Sequence, residues 1–443
     1  MTDFYEIIEV NSDGNTITLE DGEVDEVTST SVDGFYARAL VNQRWGFAST
    51  TSMNKEETLK RAKKSARQNN SNEKQQLAET KKLNKEINLK PNKNPKEIPI
   101  SEKIDLLKDC YNKANQKKIK STKFQYSDQQ LVFNYENSEG SLGRYKLNRT
   151  GLSGKAIAKE GNEIQTASTR VYGTKGFEIF KENDIYDKSK QMGEKAIDLL
   201  DAKRPPSGKM PAIMGPELAG VFVHEAVGHA TEGDIVSKDN SILKGKVGEK
   251  IGNEKVNIKD NPSLKGKYGS IPFDWEGIRA QETKLVESGK LLGYLNSRET
   301  AKTNEGRVTP NSRSESFSST PQVRMTNTYL EEGNWSLEEM IEEIQEGILL
   351  TGSRGGQVST GEGTFQFNAE DGYLIKDGEK KDQVKDVSLS GKTLEVLKNI
   401  KGLGKEKEFS PGRCGKGGQL VPVSDGAPYT YVEDLLVGGG SDF

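Results

Sequence analysis

Residues 218–223, LAGVFV, are apolar on every side of the helix they would form, and a helix without a polar face has to lie in the middle of a fold. Pro216 and Glu217 suit its first turn, the proline because its missing N–H is not needed there and the acid because it complements the helix dipole. The same helix then carries His224 and Glu225 inward, where unpaired polar groups cost several kcal/mol. Something must pair with them. The chain has 2 histidines, and both fall in the run His224-Glu225-Ala226-Val227-Gly228-His229.

That run is an HExxxH string, one residue longer than the HExxH zinc motif, in which the histidines sit at i and i+4 on one helix face. At i and i+5 a regular helix would splay the rings by roughly 140°, too far for one metal ion. The turn must therefore widen as a π-bulge or the helix must end, which predicts an irregular helix at 226–229. Gly228 would make either distortion easy and would let a substrate backbone come close.

Catalytic zinc usually takes three protein ligands and leaves a position open, so a third donor has to come from elsewhere. The candidates are Cys414, Glu232 and Asp234. Cys414 is favoured, because it lies in the glycine-rich run GRCGKGGQ, which can wrap an ion, and thiolate is a strong zinc ligand. In this scheme Glu225, next to the first histidine, takes a proton from the attacking water and returns it to the leaving amine, which is amide hydrolysis. Blander readings stand beside it. The histidines are also compatible with satisfied core residues, Cys414 with a small buried hydrophobe, and Glu232 and Asp234 with histidine-orienting or solvated carboxylates.

The 443 residues suffice for two domains, each with its own core. Charged residues make up 30%, with 64 Lys and Arg against 67 Asp and Glu, so no broad field attracts phosphate backbones or anionic lipid. Nucleic acid and membrane are therefore not expected as partners. The start, MTDFYEIIEV, lacks a basic n-region and an apolar h-region, and Cys110 and Cys414 stand far apart, so a cytoplasmic address with reduced thiols is expected.

The fold class expected is α+β in two domains: an N-terminal mixed α/β domain at 1–205 and a C-terminal β-rich, metal-binding peptidase domain at 206–443 carrying the HExxxH helix. The first fifty residues read as a small antiparallel sheet with a turn at NSDGN. Residues 54 to about 88 read as surface helices at best. A helix from near Ser101 places Cys110 on its apolar side, short strands follow from 120 to 180, and a helix spans about 184–203. The segment RPPSGKM at 204–210 is the candidate junction. Further on, ESGK reads as a hairpin turn, and SLEEMIEEIQEGILL reads as one helix through Ile348 and Leu349.

The stretch MGPELAGVFVHEAVGHATEGD resembles the metal-binding segment of the TldD/PmbA peptidase family, on its TldD-like catalytic side. ALVNQRWGFAST, VRMTNTYLEEG, GGQVSTGEGTFQFNAEDGYLI and CGKGGQLVPVSDGAPYTYVEDLLVGGG are similar to other family segments, so the likeness runs nearly the full length. The resemblance implies His224, His229 and Cys414 as zinc ligands, one zinc per catalytic subunit, and Glu225 as general base. It further implies a dimer around a central cavity, either a homodimer or a heterodimer with a non-catalytic TldE (PmbA)-like subunit. Its substrates would be unfolded or flexible peptides held extended by backbone pairing. The glycine-rich segments Gly355-Gly356-Gln357 and 415–418 are candidates for that approach. The polar 60–95 and Lys-rich 242–267 segments carry no motif. Two other functions fit the sequence: a peptide-binding or scaffold subunit with structural zinc, and an amidohydrolase of small molecules.

Overall fold

The computed structural model describes residues 2–51, 54–71 and 73–439; Gly440, at the end of the tail segment quoted above, lies outside them. The N-terminal half is built on long antiparallel strands: β1 (Thr2–Glu20), β2 (Glu23–Val41), β3 (Arg44–Thr50), then β5 (Ile119–Asn137), β6 (Leu142–Glu160) and β7 (Glu163–Gly173). A short β4 (Asn84–Asn88) joins β6 in parallel. The seven strands run β3-β2-β1-β5-β6-β4, with β7 also on β6.

The expected turn at NSDGN is not there. Asn11 to Asn15 pair with β2 on one side and β5 on the other, so β1 continues through them. Gly14 serves close approach rather than a turn: a Cβ there would lie 2.2 Å from the carbonyl oxygen of Asp128. The polar run marks the boundary between two cores on one sheet. Ile17, Leu19, Phe124 and Leu152 pack under α2 (Ile100–Ala114) and α4 (Ile185–Asp201), which follows the one-turn α3 (Ile179–Glu182). Ile8, Val10, Phe133 and Tyr145 pack against Phe273, Trp275 and Phe317 from the second half of the chain.

Helix α1 (Lys55–Gln68) is less exposed than its composition suggests. It buries Thr58, Ala62 and Ala66 against β2 and β3, and these small residues let the helix backbone lie on the sheet, so a Cβ at Gly46 would clash with Ala66 N at 2.1 Å. Among the described residues, the rest of the polar segment is not helical; it ends in β4.

After the 204–207 stretch the chain enters a second sheet through β8 (Gly208–Met214). Its outer part is β9 (Ile258–Asp260) with the hairpin β10 (Thr283–Glu287) and β11 (Lys290–Leu291), whose turn at Ser288 and Gly289, both at positive φ, is the one read from ESGK. A two-stranded ribbon, β12 (Ser312–Arg313) and β13 (Gln322–Val323), precedes β14 (Asn327–Leu330). The main strands follow: β15 (Glu346–Thr351), β16 (Gly356–Ser359), β17 (Thr364–Lys376), β18 (Glu379–Lys392), β19 (Ile400–Lys416) and β20 (Gln419–Gly439). Because β8 pairs with both β15 and β20, the strands β20, β18, β17, β15 and β8 close into a ring.

The helix expected at 336–350 stops early. Leu337–Glu342 is helical behind a capping box of Ser336 and Glu339, but Glu346–Thr351 is strand β15. Its run Ile348, Leu349, Leu350 sends alternate side chains into two different cores, and a strand buried on both faces is continuous in hydrophobicity, as a buried helix is. Among the described residues no helix is long and apolar enough to cross a membrane.

Candidate metal centre

Helix α5 (Pro216–Val223) starts at Gly215 with Pro216 in its first turn, and buries Leu218, Ala219, Phe222 and Val223 in the core of the second half. Its Phe222 ring packs 5.1 Å from Phe365. At His224 the helix widens into one π turn through Gly228, closed by the N–H of His229 donating to the carbonyl of His224, and a 3-10 turn follows at His229–Thr231. The wider turn absorbs the extra residue of the i, i+5 spacing, so the two imidazoles meet with centroids 5.1 Å apart instead of on opposite sides.

Gly228 has another role than the one expected of it. Its φ of −54° and ψ of −60° are ordinary right-handed helix, and a Cβ there would lie 1.9 Å from Met325 Sδ. Packing against Met325, not the bend, accounts for the glycine.

Cys414 comes from β19, far along the chain. Its Sγ is 3.3 Å from His229 Nε2, and the donor atoms of His224, His229 and Cys414 lie within 4.8 Å of one another, all three residues buried. The other two candidates stand outside this cluster. Glu232 Oε2 is 2.8 Å from His229 Nδ1, and Lys416 Nζ spans Glu232 at 3.0 Å and Asp234 at 2.7 Å. A fourth acid, Asp425 on β20, joins the site only through the fold: its Oδ1 is 2.6 Å from His224 Nδ1, in close ionic contact although not aligned as a hydrogen bond. Its run VSDGAP carries no local sign of a metal site, since the strand pairing alone brings it to the helix. Each histidine thus turns Nδ1 to a carboxylate and leaves Nε2 for the cluster.

The charges are strongly coupled. Burial disfavours charge on His224, but the Asp425 carboxylate and the Cys414 thiolate outweigh it and hold its pKa well above the ordinary value. At His229 burial is likewise overcome, by Glu232 and Cys414, and the pKa rises to about 10. Burial would raise the Cys414 thiol, yet the two imidazoliums bring it down to about 5, and Glu232, buried beside His229 and Lys416, falls to about 2. Two imidazoles and a ready thiolate, each histidine oriented by a carboxylate, form a donor set that suits zinc.

The cluster opens on a cavity of about 640 Å³ between the two sheets. Gln125, Ser153 and Thr169 line it from the N-terminal sheet, and Glu225, Gly355 and Cys414 from the other side. Glu225 Oε2 is 3.8 Å from His229 Nε2 and remains about a quarter exposed, at 27% of its side chain. Basic side chains also reach this space: Lys123, Lys155, Arg170, Arg354 and Arg413.

A closed strand-rich domain that holds such a cluster at the mouth of a cavity defines a metal-dependent hydrolase, and comparison with known proteins narrows the class to metallopeptidases. Residues 207–439 match the PmbA/TldA metallopeptidase C-terminal domain, 93–203 the central domain and 5–69 domain 1. The chain belongs to the PmbA/TldD metallopeptidase family. A metalloprotease of Methanothermobacter thermautotrophicus is 43% identical over 96% of this chain and 93% of its own length. A protein of Saccharolobus solfataricus named zinc metalloprotease TldD homolog is 31% identical over 96% and 94%. The crystal structure of TldE from Thermococcus kodakarensis has the same fold, with a TM-score of 0.79 and 22% identity over 99% of this chain and 97% of that one. The first two family regions share a single seven-stranded sheet here, since β1–β3 and β5–β7 pair within it.

Proposed function

We propose that this chain hydrolyses peptide bonds of unfolded or flexible substrates in the cavity between its sheets, with His224, His229 and Cys414 holding one zinc ion and Glu225 as general base. The observation that carries this reading is the convergence of the three donors within 4.8 Å beside a carboxylate that faces open space. A bound zinc would supply Lewis acidity, polarising a carbonyl and making water easier to ionise. The protein's own groups do the rest. Glu225 accepts a proton from the attacking water and later delivers it to the departing amine. Asp425 and Glu232 fix the two imidazole rings, and Lys416 balances the buried charge of Glu232.

Substrate is held extended. Strand β16 pairs with β17 on one side, and its Gly356, with Gly355 and Gly415, lines the cavity. A peptide laid along these glycines would be bound through its backbone, with little regard to sequence. In the same reading the boundary between an N-terminal mixed domain and the metal-binding domain falls at 205/206, and the working assembly is a dimer. The likeness to TldE supports pairing of this chain with a TldE (PmbA)-like partner that lacks the metal site, or with a second copy of itself.

The test uses protein purified without a histidine tag. Bound metal is measured, and cleavage of an unstructured peptide is followed for wild type and Glu225→Gln. About one zinc per chain in both, with loss of cleavage by roughly 10²- to 10⁴-fold in the variant, is the expected result. Zinc in both proteins with no cleavage by either would favour a structural site or a missing partner, and absence of metal binding would overturn the reading.

A further inference from the structure

Two arginines near the metal centre, Arg149 half-buried and Arg413 exposed, lack an acidic partner. Arg149, on β6, has its Nε buried without a hydrogen-bond partner, and among the described residues no ion pair reaches its guanidinium or that of Arg413. Both line a cavity of about 220 Å³ and a smaller one of about 160 Å³. Arg413 also lines the cavity of the metal centre and directly precedes Cys414 on β19. It is the residue common to all three spaces.

Other groups nearby do not neutralise this charge. Arg313, buried on the wall of the larger side cavity, spends its N–H groups on the carbonyls of Met325 and Pro422, which bring no negative charge. Arg324 behaves likewise, donating to the carbonyls of Cys414 and Gln419. Asp128, on the smaller cavity, is bound to Lys103 at 2.6 Å and to Tyr126 at 2.7 Å. Glu315, on the larger, is exposed and makes no ion pair among the described residues. Burial and the neighbouring Arg413 both pull the Arg149 pKa below its ordinary value, as expected of a cation without a counter-charge.

We infer that Arg149 and Arg413 form a subsite for a carboxylate of the peptide substrate, beside the metal centre. The inference rests on the peptidase reading and adds a specificity to it. Guanidinium groups match carboxylates in shape and charge, and an incoming carboxylate would remove the cost of leaving Arg149 unpaired. Side cavities of this size admit one or two residues, not a folded partner. The carboxylate has two sources, the C-terminus of the peptide or an Asp or Glu side chain near the scissile bond, and one set of substrates separates them.

The experiment uses the zinc-loaded full chain and one unstructured peptide in three forms: a free C-terminal acid, a C-terminal amide, and the amide with one internal Gln changed to Glu. Wild type should show a KM about tenfold lower for a carboxylate-bearing form than for the neutral amide, the strength of one charged hydrogen bond. Preference for the free acid alone assigns the site to the C-terminus, and preference for the Glu form assigns it to side chains. In Arg149→Gln and in Arg413→Gln that ratio should fall to about one, and Arg413→Glu should shift preference toward peptides bearing Lys. Since Arg413 is exposed, its variants keep the test open if Arg149→Gln fails to fold, which thermal melts and zinc content will show.

Equal KM for all three forms in wild type, or a preference that survives in the Arg413 variants, overturns the inference while leaving the peptidase reading intact. If wild type cleaves none of them, a structural metal site or a missing partner becomes the account of the centre, and binding of the same peptides to Glu225→Gln by fluorescence anisotropy decides the subsite separately. There, equal affinity for acid and amide overturns it.

Discussion

His224 Nδ1 lies 2.6 Å from Asp425 Oδ1, and both groups are carried there by elements that meet only in the tertiary fold: the π turn after α5 and the first third of β20. The carboxylate fixes the ring orientation and directs Nε2 toward Cys414, as Glu232 does for His229. A pair of acid-oriented histidines explains how a short irregular turn can hold both rings in place.

Asp425→Asn should therefore keep the fold and weaken the site. Loss of such an orienting carboxylate typically lowers metal affinity or activity by about 10- to 100-fold. Competition against a chelator of known affinity measures it, and a variant that holds metal as tightly as wild type would remove Asp425 from this role.

Cys414 and Cys110 should differ sharply toward alkylating agents in the metal-free protein. The thiol of Cys414 is held at about 5 by the two imidazoliums, so at pH 6.5 it is already thiolate, whereas burial pushes Cys110 up to about 11. Iodoacetamide should modify Cys414 first, and added zinc should protect it. Peptide mapping by mass spectrometry reads both, and equal labelling of the two residues would count against the site.

Much of the site was legible because its constraint is local. An all-apolar helix that delivers two histidines with the wrong spacing has few solutions, and the π turn is one of them. What escaped was whatever depends on pairing across the chain. Asp425 carries no local signal, Gly228 answers to Met325, and the polar NSDGN run is held in strand by neighbours on both sides. Strand β15 resembles a helix in sequence for a related reason: burial on both faces erases the alternation that distinguishes a strand from a helix.

Metal uptake should expel protons, and more so as the pH falls. With the His229 pKa at about 10 and that of His224 also raised, both rings are charged in the metal-free protein at pH 7, yet a histidine must be neutral to bind a metal. The sign for folding follows from the same shift. A raised pKa gives stability that is complete below about 6.5, the ordinary histidine value, and fades as the pH climbs through about 10. Calorimetric titration with zinc in buffers of different ionisation enthalpy should show release of about two protons per ion at pH 7, with affinity rising with pH. No buffer dependence would mean the rings are already neutral.

The two halves of the chain are also joined by charge. Arg38 on β2 reaches Glu6 at 2.8 Å and Glu276, from the second half, at 2.9 Å, with both acids buried. Arg38→Met would strand two carboxylates in the interior and should cost about 3–5 kcal/mol, the penalty for breaking a buried pair from one side. The loss should depend on pH. Even with Arg38 present, burial lifts the Glu6 carboxyl to about 7. An acid whose folded pKa exceeds its unfolded value of 4.5 stabilises the protein fully below 4.5 and progressively less as the pH rises through 7. Removal of the arginine raises that pKa further, so the variant should lose most at pH 8 and recover part of its stability near pH 5. Denaturant melts of both proteins at the two pH values test this, and a destabilisation independent of pH would show that Arg38 contributes packing rather than charge.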